Sequence, residues 1–449
     1  MLRLITNNKS HTYDPLKPDT YLLRLASVSQ ECGAFFTDDI YNDQGLILVH
    51  KDTLVSPQIT ALIHPHRLKK PLEGCVRLER ELTTHQLEQH FIELMQQDDF
   101  LVALNEHQDI ASLIRQYLPY YEKFPLLRQK ISVMALVMPE LFLRTISCVW
   151  LSLLIAKEMR CSERGCVDIF LAALSHDIGM LHLDMYILEE KGSLSPEDWR
   201  HIQEHVFIGA TLLKQMPHMP LEVIEAVYEH HERCDGTGYP TGCVESELSY
   251  AGKILGLADS VIAIFYNRFK HQHRTWREVI LVIQMNAQAY FYRHDEILAT
   301  LWRRSEMPFK NVVQGDELSE FIGELLRERE YLSNWFKVLC DSLLPLGFTH
   351  GDRHLHALQN VMLHLSTSVK GSGIFDPELS TWLRQVDLAE DKESYRKIEK
   401  AHVQQQEIVF HLQRLNRMMQ LYTDRDDCKS TYIKVALLKA LEDVNRLVH

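Results

Sequence analysis

The 449-residue chain has no Cys-x-x-Cys pair, no internal repeat, no low-complexity tract and no excess of positive charge. Its nine cysteines are scattered and odd in number, which favours reduced thiols over a disulfide framework. The formal net charge of -13 argues against binding to a nucleic acid polymer or to an anionic membrane surface, because both attract cationic proteins. A locally basic pocket for a small anionic ligand remains compatible with this charge.

A secretory leader and a clear membrane span are also missing from the sequence. The first residues, MLRLITNNKSHTYD, contain no apolar run long enough for a signal peptide. The most apolar region covers residues 131–156, but Pro139, Glu140 and Arg144 lie inside it, and a charge is costly in lipid. We therefore predict a buried helix, no membrane span and a cytoplasmic protein.

Helical periodicity dominates the chain and predicts a mainly all-α protein. Residues 1–125 form a small α+β module, in which DDIYNDQGLILVHKDTLVSP predicts two strands around a turn and a helix that begins at Ser56 and Pro57. Residues 126–302 predict one helix after another, and residues 303–449 predict a helical C-terminal domain. We expect the first and last segments to be regulatory.

Histidines and aspartates recur at the ends and inside the helices of the middle domain. The chain has 24 histidines, so a single one is more often an ordinary core or surface residue. Several in one helical bundle can converge, however, and imidazole with carboxylate suits iron, manganese or zinc. The candidate metal ligands are His176, Asp177, His205, His230, His231 and Asp259.

These segments resemble, in order and spacing, the HD-GYP subfamily of HD-domain metal-dependent phosphohydrolases. The likeness covers roughly residues 136–300 and is carried by the HD pair, HHERCDGTGYP and LADSVIAI. It implies an HD-type helical bundle with two divalent ions, iron or manganese, or alternatively nickel, zinc or magnesium. It also implies the hydrolysis of cyclic di-GMP in bacterial second-messenger signalling, and the N-terminal part resembles the small modules that precede such domains.

The resemblance also implies roles for individual residues. Asp177 would be the catalytic carboxylate that bridges the metal ions, and Glu140 would be a further ligand in members with three ions. Arg268 and His271 would contact the substrate phosphate. A motif loop would brace the site and present a surface to signalling partners; it consists of Asp235, Gly236, Gly238, Tyr239 and Pro240. We also consider a homodimer formed by the C-terminal helices.

Two positions depart from the family pattern. Arg144 stands where the family has a histidine, and no histidine occurs between His107 and His176. Met180 replaces a phosphate-contacting lysine. These changes predict fewer metal ions and weaker activity, so three interpretations stay open: a cyclic di-GMP phosphodiesterase, an inactive nucleotide sensor or protein-interaction module, and an HD hydrolase for another nucleotide. The six retained ligands favour the enzyme.

Overall fold

The computed structural model describes residues 13–184, 195–304, 318–347, 352–386, 392–424 and 431–447. Helices dominate these residues, which confirms the predicted mainly all-α class. The chain separates into two compact units. The first contains Met1–Ala263 and Thr300–Met307, and the second contains Ile264–Ala299 and Pro308–His449. The three-domain division by sequence stays a prediction.

The N-terminal module of the first unit is mixed, as its sequence predicts. Its elements are α1 (Thr20–Cys32), β1 (Ala34–Phe36), β2 (Ile40–Tyr41), β3 (Ile47–Val49), α2 (Pro57–Ile63) and β4 (Val76–Leu78). Strand β1 pairs antiparallel with β4, and β2 pairs antiparallel with β3 across the predicted turn. The side chain of Ser56 caps α2 by accepting from the backbone N–H of Ile59.

A series of helices completes the first unit. They are α3 (Thr84–Met95), α4 (Asp99–Gln108), α5 (Ile110–Tyr117), α6 (Pro125–Val137), α7 (Pro139–Glu158), α8 (Glu163–Ser175), α9 (Pro196–Lys214), α10 (Leu221–Glu229) and α11 (Tyr250–Ile264). Ser195 and Asp198 form a capping box at the start of α9, where the sequence predicts a helix start.

Helix α7 contains the most apolar stretch of the chain. It is the one helix among the described residues that is long and apolar enough to cross a membrane, and 72% of its most apolar window is buried inside the fold. Trp150 on this helix has no exposed surface. Helix α7 therefore packs as a core helix of the first unit.

The second unit is helical throughout its described residues. Its helices are α12 (Trp276–Met285), α13 (His294–Arg304, whose last turn belongs to the first unit), α14 (Leu318–Leu343), α15 (Arg353–Ser372), α16 (Pro377–Gln385), α17 (Lys392–Thr423) and α18 (Thr431–Leu447). Ile408, Leu412 and Leu415 of α17 are fully buried in one apolar core. The apolar face of α17 therefore packs inside the unit, and the homodimer stays a prediction.

Candidate metal centre

Two helix ends and two helix interiors bring the six predicted ligands together in the first unit. Helix α8 ends at Ser175, directly before the His-Asp pair, and α10 ends at Glu229, directly before the His-His pair. Helices α9 and α11 each contribute one ligand from a helical position. The residues that meet are His176, Asp177, His205, His230, His231 and Asp259.

Asp177 lies at the centre of this group. Its Oδ2 is 3.2 Å from Nε2 of His176, and its Oδ1 is 3.5 Å from Nε2 of His205 and 4.0 Å from Nε2 of His230. One carboxylate thus approaches three imidazoles. This arrangement allows the two oxygens of Asp177 to serve different cations, as the predicted bridging role requires.

Asp259 joins the remaining imidazole to the group. Its Oδ1 is 3.8 Å from Nε2 of His176, and its Oδ2 is 3.6 Å from Nδ1 of His231. The carboxylate inside an apolar helix is therefore paired, which explains how α11 tolerates it.

The backbone sets the tautomer of three of the histidines. Nδ1 of His176, His205 and His230 lies 2.8, 2.6 and 2.7 Å from the carbonyl oxygen three residues earlier. A carbonyl oxygen only accepts, so Nδ1 is the nitrogen that carries the proton. Nε2 of each ring then points into the cluster and presents a lone pair there when the ring is neutral, which is how metal-binding imidazoles are oriented.

Two of these lone pairs face each other. Nε2 of His205 is 3.3 Å from Nε2 of His230, and both rings are buried. Burial lowers the pKa of both imidazoles, and for His230 the neighbouring His231 lowers the pKa further. A shared proton is therefore disfavoured between the two nitrogens. The donor set instead fits a divalent cation, which stabilises both lone pairs.

Two groups of described ligand atoms lie close enough to hold an ion. One consists of His205, His230 and His231, and the other consists of His176, Asp177 and His230. Within each group the ligand atoms lie within 4.8 Å of one another. His230 belongs to both groups, so it is the residue on which the centre depends most.

His176 and Asp177 form an ion pair in the described structure. Burial alone lowers the pKa of His176, but the charge of Asp177 and its hydrogen bond raise it to about 9. Burial likewise opposes ionisation of Asp177, yet the charge of His176 holds the pKa of this carboxyl well below its usual range. A cation bound here would take the place of the Nε2 proton of His176.

The motif loop after the paired histidines packs against His231. The ring of Tyr239 lies 4.8 Å from the His231 ring at an interplanar angle of 31°. A Cβ at Gly238 would lie 2.3 Å from the backbone nitrogen of Arg233, so only glycine fits there. Gly236 has a φ of +75°, which also favours glycine. The loop thus covers one face of a predicted ligand.

Glu232 holds the end of this loop by hydrogen bonds, a role that the sequence did not predict. Its carboxylate accepts hydrogen bonds at 2.6–3.1 Å from the backbone N–H groups of residues 241–243. Asp235 makes a local turn by accepting from the backbone N–H and hydroxyl of Thr237. Pro240 follows Tyr239 and is half-buried. The partner surface that we expect on this loop stays a prediction.

Glu140 and Arg144, the two positions of α7 from which the sequence predicted the number of metal ions, differ in burial. Glu140 is exposed in the first turn of the helix, and it is in neither of the two groups of described ligand atoms. Arg144 is half-buried. Burial and then the charge of His205 lower the pKa of His231, the charge of Asp177 raises it, and His176 and Arg144 also lower it. Arg144 is therefore close enough for its charge to act on the cluster, while a ligand role for Glu140 stays a prediction.

The two predicted substrate-binding residues lie in the second unit. Arg268 donates from Nη1 to Oε2 of Glu407 on α17 at 2.7 Å, and Glu407 also accepts from Asn286 at 2.8 Å. His271 is exposed in the following turn. The guanidinium of Arg268 thus has a buried carboxylate partner that the sequence did not reveal, because the two residues are 139 positions apart.

Glu407 gives this pair a defined pH dependence. Burial raises the pKa of Glu407, but the hydrogen bond and charge of His411 and then Arg268 lower it to about 2. Because the pKa of Glu407 is lower in the folded than in the unfolded protein, its ionisation stabilises the fold. This stabilisation is complete above the pKa of the unfolded state, near 4.5, and is lost as the pH falls towards 2. We expect Glu407→Gln to lower the free energy of unfolding by roughly 1.5–3 kcal/mol at pH 7 and by progressively less below pH 4.5.

Chemical denaturation across this pH range measures the effect. Glu442→Gln, at an exposed position on α18, is the control and should leave stability unchanged. A Glu407→Gln deficit that is the same at pH 7 and at pH 3 would contradict the ion pair.

Comparisons with known proteins show what parts of this chain are similar to. The family model of the HD domain matches residues 130–293. A cyclic di-GMP phosphodiesterase of Thermotoga maritima is 39% identical over 120 residues, which are 26% of this chain and 33% of that protein. A 3′3′-cGAMP-specific phosphodiesterase of Vibrio cholerae is 35% identical over 116 residues, which are 26% of this chain and 25% of that protein.

The matched part of the chain thus covers a third or less of the length of these two relatives. Among solved structures, an HDG"Y"P protein from Bdellovibrio bacteriovorus shares 14% identity and covers 60% of this chain and 95% of its own, with a TM-score of 0.33.

Proposed function

We propose that residues 130–293, which match the family model of the HD domain, form a metal-dependent phosphodiesterase that hydrolyses cyclic di-GMP in bacterial second-messenger signalling. The observation that carries the proposal is the pair of buried, neutral imidazoles, His205 and His230, whose Nε2 atoms face each other at 3.3 Å beside Asp177. The names of the two relatives support a cyclic dinucleotide as the substrate.

The donor set fits two divalent ions, iron or manganese. His205, His230 and His231 would hold one. His176, Asp177 and Asp259 would hold the other, with Asp177 shared and His230 within reach of both ions. Bound there, such ions supply the Lewis acidity that activates water near neutral pH and orients the phosphate oxygens. Nickel, zinc and magnesium are the alternatives that the same ligands admit.

The chain's own residues prepare the site for this chemistry. The backbone carbonyl oxygens behind His176, His205 and His230 hold each ring with Nε2 towards the cluster. Tyr239 covers one face of His231. A preorganised ligand set of this kind binds a cation without first reordering its side chains.

The experiment that tests the proposal is a metal count combined with a hydrolysis assay. The full chain is purified anaerobically without chelators or added metal, and its content is measured by plasma mass spectrometry. Cyclic di-GMP, 3′3′-cGAMP and an unrelated phosphodiester are then compared as substrates, with Asp177→Asn as the inactive control. Metal-free wild-type protein that hydrolyses none of them would leave the binding module as the function.

That second candidate has specific observations in its favour. Arg144 brings a positive charge to the cluster, and the guanidinium of Arg268 is held by Glu407. A sensor would bind cyclic di-GMP without turnover and pass the signal to a protein partner at the motif loop. We also propose a cytoplasmic location, since the substrate is an intracellular messenger.

We expect Met180→Lys to tighten the binding of cyclic di-GMP about tenfold. Met180 is half-buried three residues after Asp177, where the related enzymes are expected to place a lysine. One charge-assisted contact to phosphate is worth roughly 1.5–3 kcal/mol, which corresponds to about one order of magnitude in Kd. Titration calorimetry with cyclic di-GMP gives the dissociation constant.

Leu62→Lys is the control for a general charge effect, because Leu62 is an exposed apolar residue on α2 of the N-terminal module. Equal affinities of the wild type and Met180→Lys would show that position 180 does not face the substrate.

A further inference from the structure

A second buried polar cluster joins the N-terminal module to the 3-10 turn Ile178–His182, which directly follows Asp177. Nζ of Lys130 lies 2.9 Å from Nε2 of His182, and Nδ1 of His182 lies 2.6 Å from Oδ2 of Asp19. The side chain of His182 has no exposed surface, and Lys130 is also fully buried. Asp19 precedes α1, so the N-terminal module reaches the turn through this residue.

Arg24 on α1 binds the backbone of the same turn. Its Nη1 donates to the carbonyl oxygen of Met180 at 2.7 Å, and its Nη2 donates to the carbonyl oxygen of Leu183 at 3.3 Å. Arg24 is 3% exposed. A guanidinium is costly to bury, and its fork geometry fixes the direction of the two hydrogen bonds that it donates.

The turn is also held by a third contact, with helix α9. A Cβ at Gly179 would lie 2.1 Å from the carbonyl oxygen of His205, so the turn packs directly against the backbone of a predicted metal ligand. Within the turn, the backbone N–H of Met180 donates to the carbonyl oxygen of Asp177 at 3.0 Å. A shift of the turn therefore moves Asp177 relative to His205.

We infer that Arg24 and Asp19 are positioning residues for the metal centre: by holding the turn Ile178–His182 they set the place of Asp177 against the histidines. The N-terminal module is then a structural part of the site, and a displacement of α1 changes the affinity for metal. The part of the inference that concerns metal affinity rests on the proposed metal-dependent function. The part that concerns the position of the turn does not, because that position can be measured without metal.

The test uses the full chain with Arg24→Met, which keeps an apolar stem and removes both hydrogen bonds. Arg329→Met is a closely matched control, because Arg329 is 8% exposed and also donates to two backbone carbonyl oxygens, those of Ile374 and Asp376, in the second unit. Hydrogen–deuterium exchange of residues 176–183 is measured in metal-free protein, and Mn²⁺ affinity is measured by titration.

We expect Arg24→Met to speed hydrogen–deuterium exchange in the turn at least threefold. We also expect it to weaken Mn²⁺ binding about tenfold, which is the lower end of the loss of metal affinity on removal of an outer-shell partner. Arg329→Met should change neither. Arg24→Lys should restore part of the affinity through one donated bond. Asp19→Asn should also weaken binding, because asparagine caps α1 equally well but removes the charge that faces His182.

Each outcome decides the matter. The inference would be overturned by unchanged exchange in Arg24→Met, by equal changes in Arg24→Met and Arg329→Met, or by faster exchange with unchanged affinity in a protein that binds Mn²⁺. Faster exchange in Arg24→Met alone, in a protein that binds no Mn²⁺ and cleaves no cyclic dinucleotide, would uphold the positioning of the turn and refute the proposed function.

Discussion

His230→Ala is expected to empty the metal centre and to lower phosphodiesterase activity at least hundredfold. His230 is the one residue shared by both groups of ligand atoms among the described residues, and its Nε2 faces both His205 and Asp177. Its removal leaves each group one ligand short. Loss of an outer-shell partner lowers metal affinity or activity about tenfold to hundredfold, and loss of a ligand itself lowers them more. Metal content per chain and the rate of cyclic di-GMP hydrolysis measure the effect.

His294→Ala is the matched control for this substitution. His294 is 4% exposed and its Nδ1 contacts the carbonyl oxygen three residues earlier, as in the three ligand histidines, but it lies in the second unit. It should lose stability without losing metal. The metal site would be refuted if His230→Ala kept the metal content of the wild type.

Arg144→His is expected to raise both the metal content and the rate of hydrolysis, the latter on the order of tenfold. Arg144 is half-buried on α7, and its charge acts on His231. The substitution removes a positive charge that opposes a bound cation, and it adds an imidazole at the position where related enzymes are expected to have one. Metal analysis and steady-state kinetics on the same preparation provide the measurement.

Arg144→Gln separates the two causes, because it removes the charge without adding a ligand. A gain in both variants would assign the effect to charge, and a gain in Arg144→His alone would assign it to the new ligand. If Arg144→His raises neither the metal content nor the rate of hydrolysis, then the residue at position 144 limits neither of them.

The sequence predicted most of what is local in this protein. The apolar periods of α7 and α11 and the helix start at Ser195 are properties of short segments, and the structure has helices there. The six candidate ligands could be proposed from the sequence because a metal centre needs particular side chains, and a run such as HHERCDGTGYP keeps several of them within one short stretch. The family model of the HD domain matches residues 130–293, which contain the same local pattern.

Only the tertiary structure decided which distant groups pair with one another. The sequence did not indicate that Arg24 would bind the carbonyl oxygen of Met180, or that Glu407 would take the guanidinium of Arg268, because 156 and 139 residues separate the partners. Glu140, which the family pattern suggested as a ligand, lies exposed at the start of α7. The reason is physical: a ligand's identity follows from its own side chain, whereas its orientation depends on the elements that the fold packs around it.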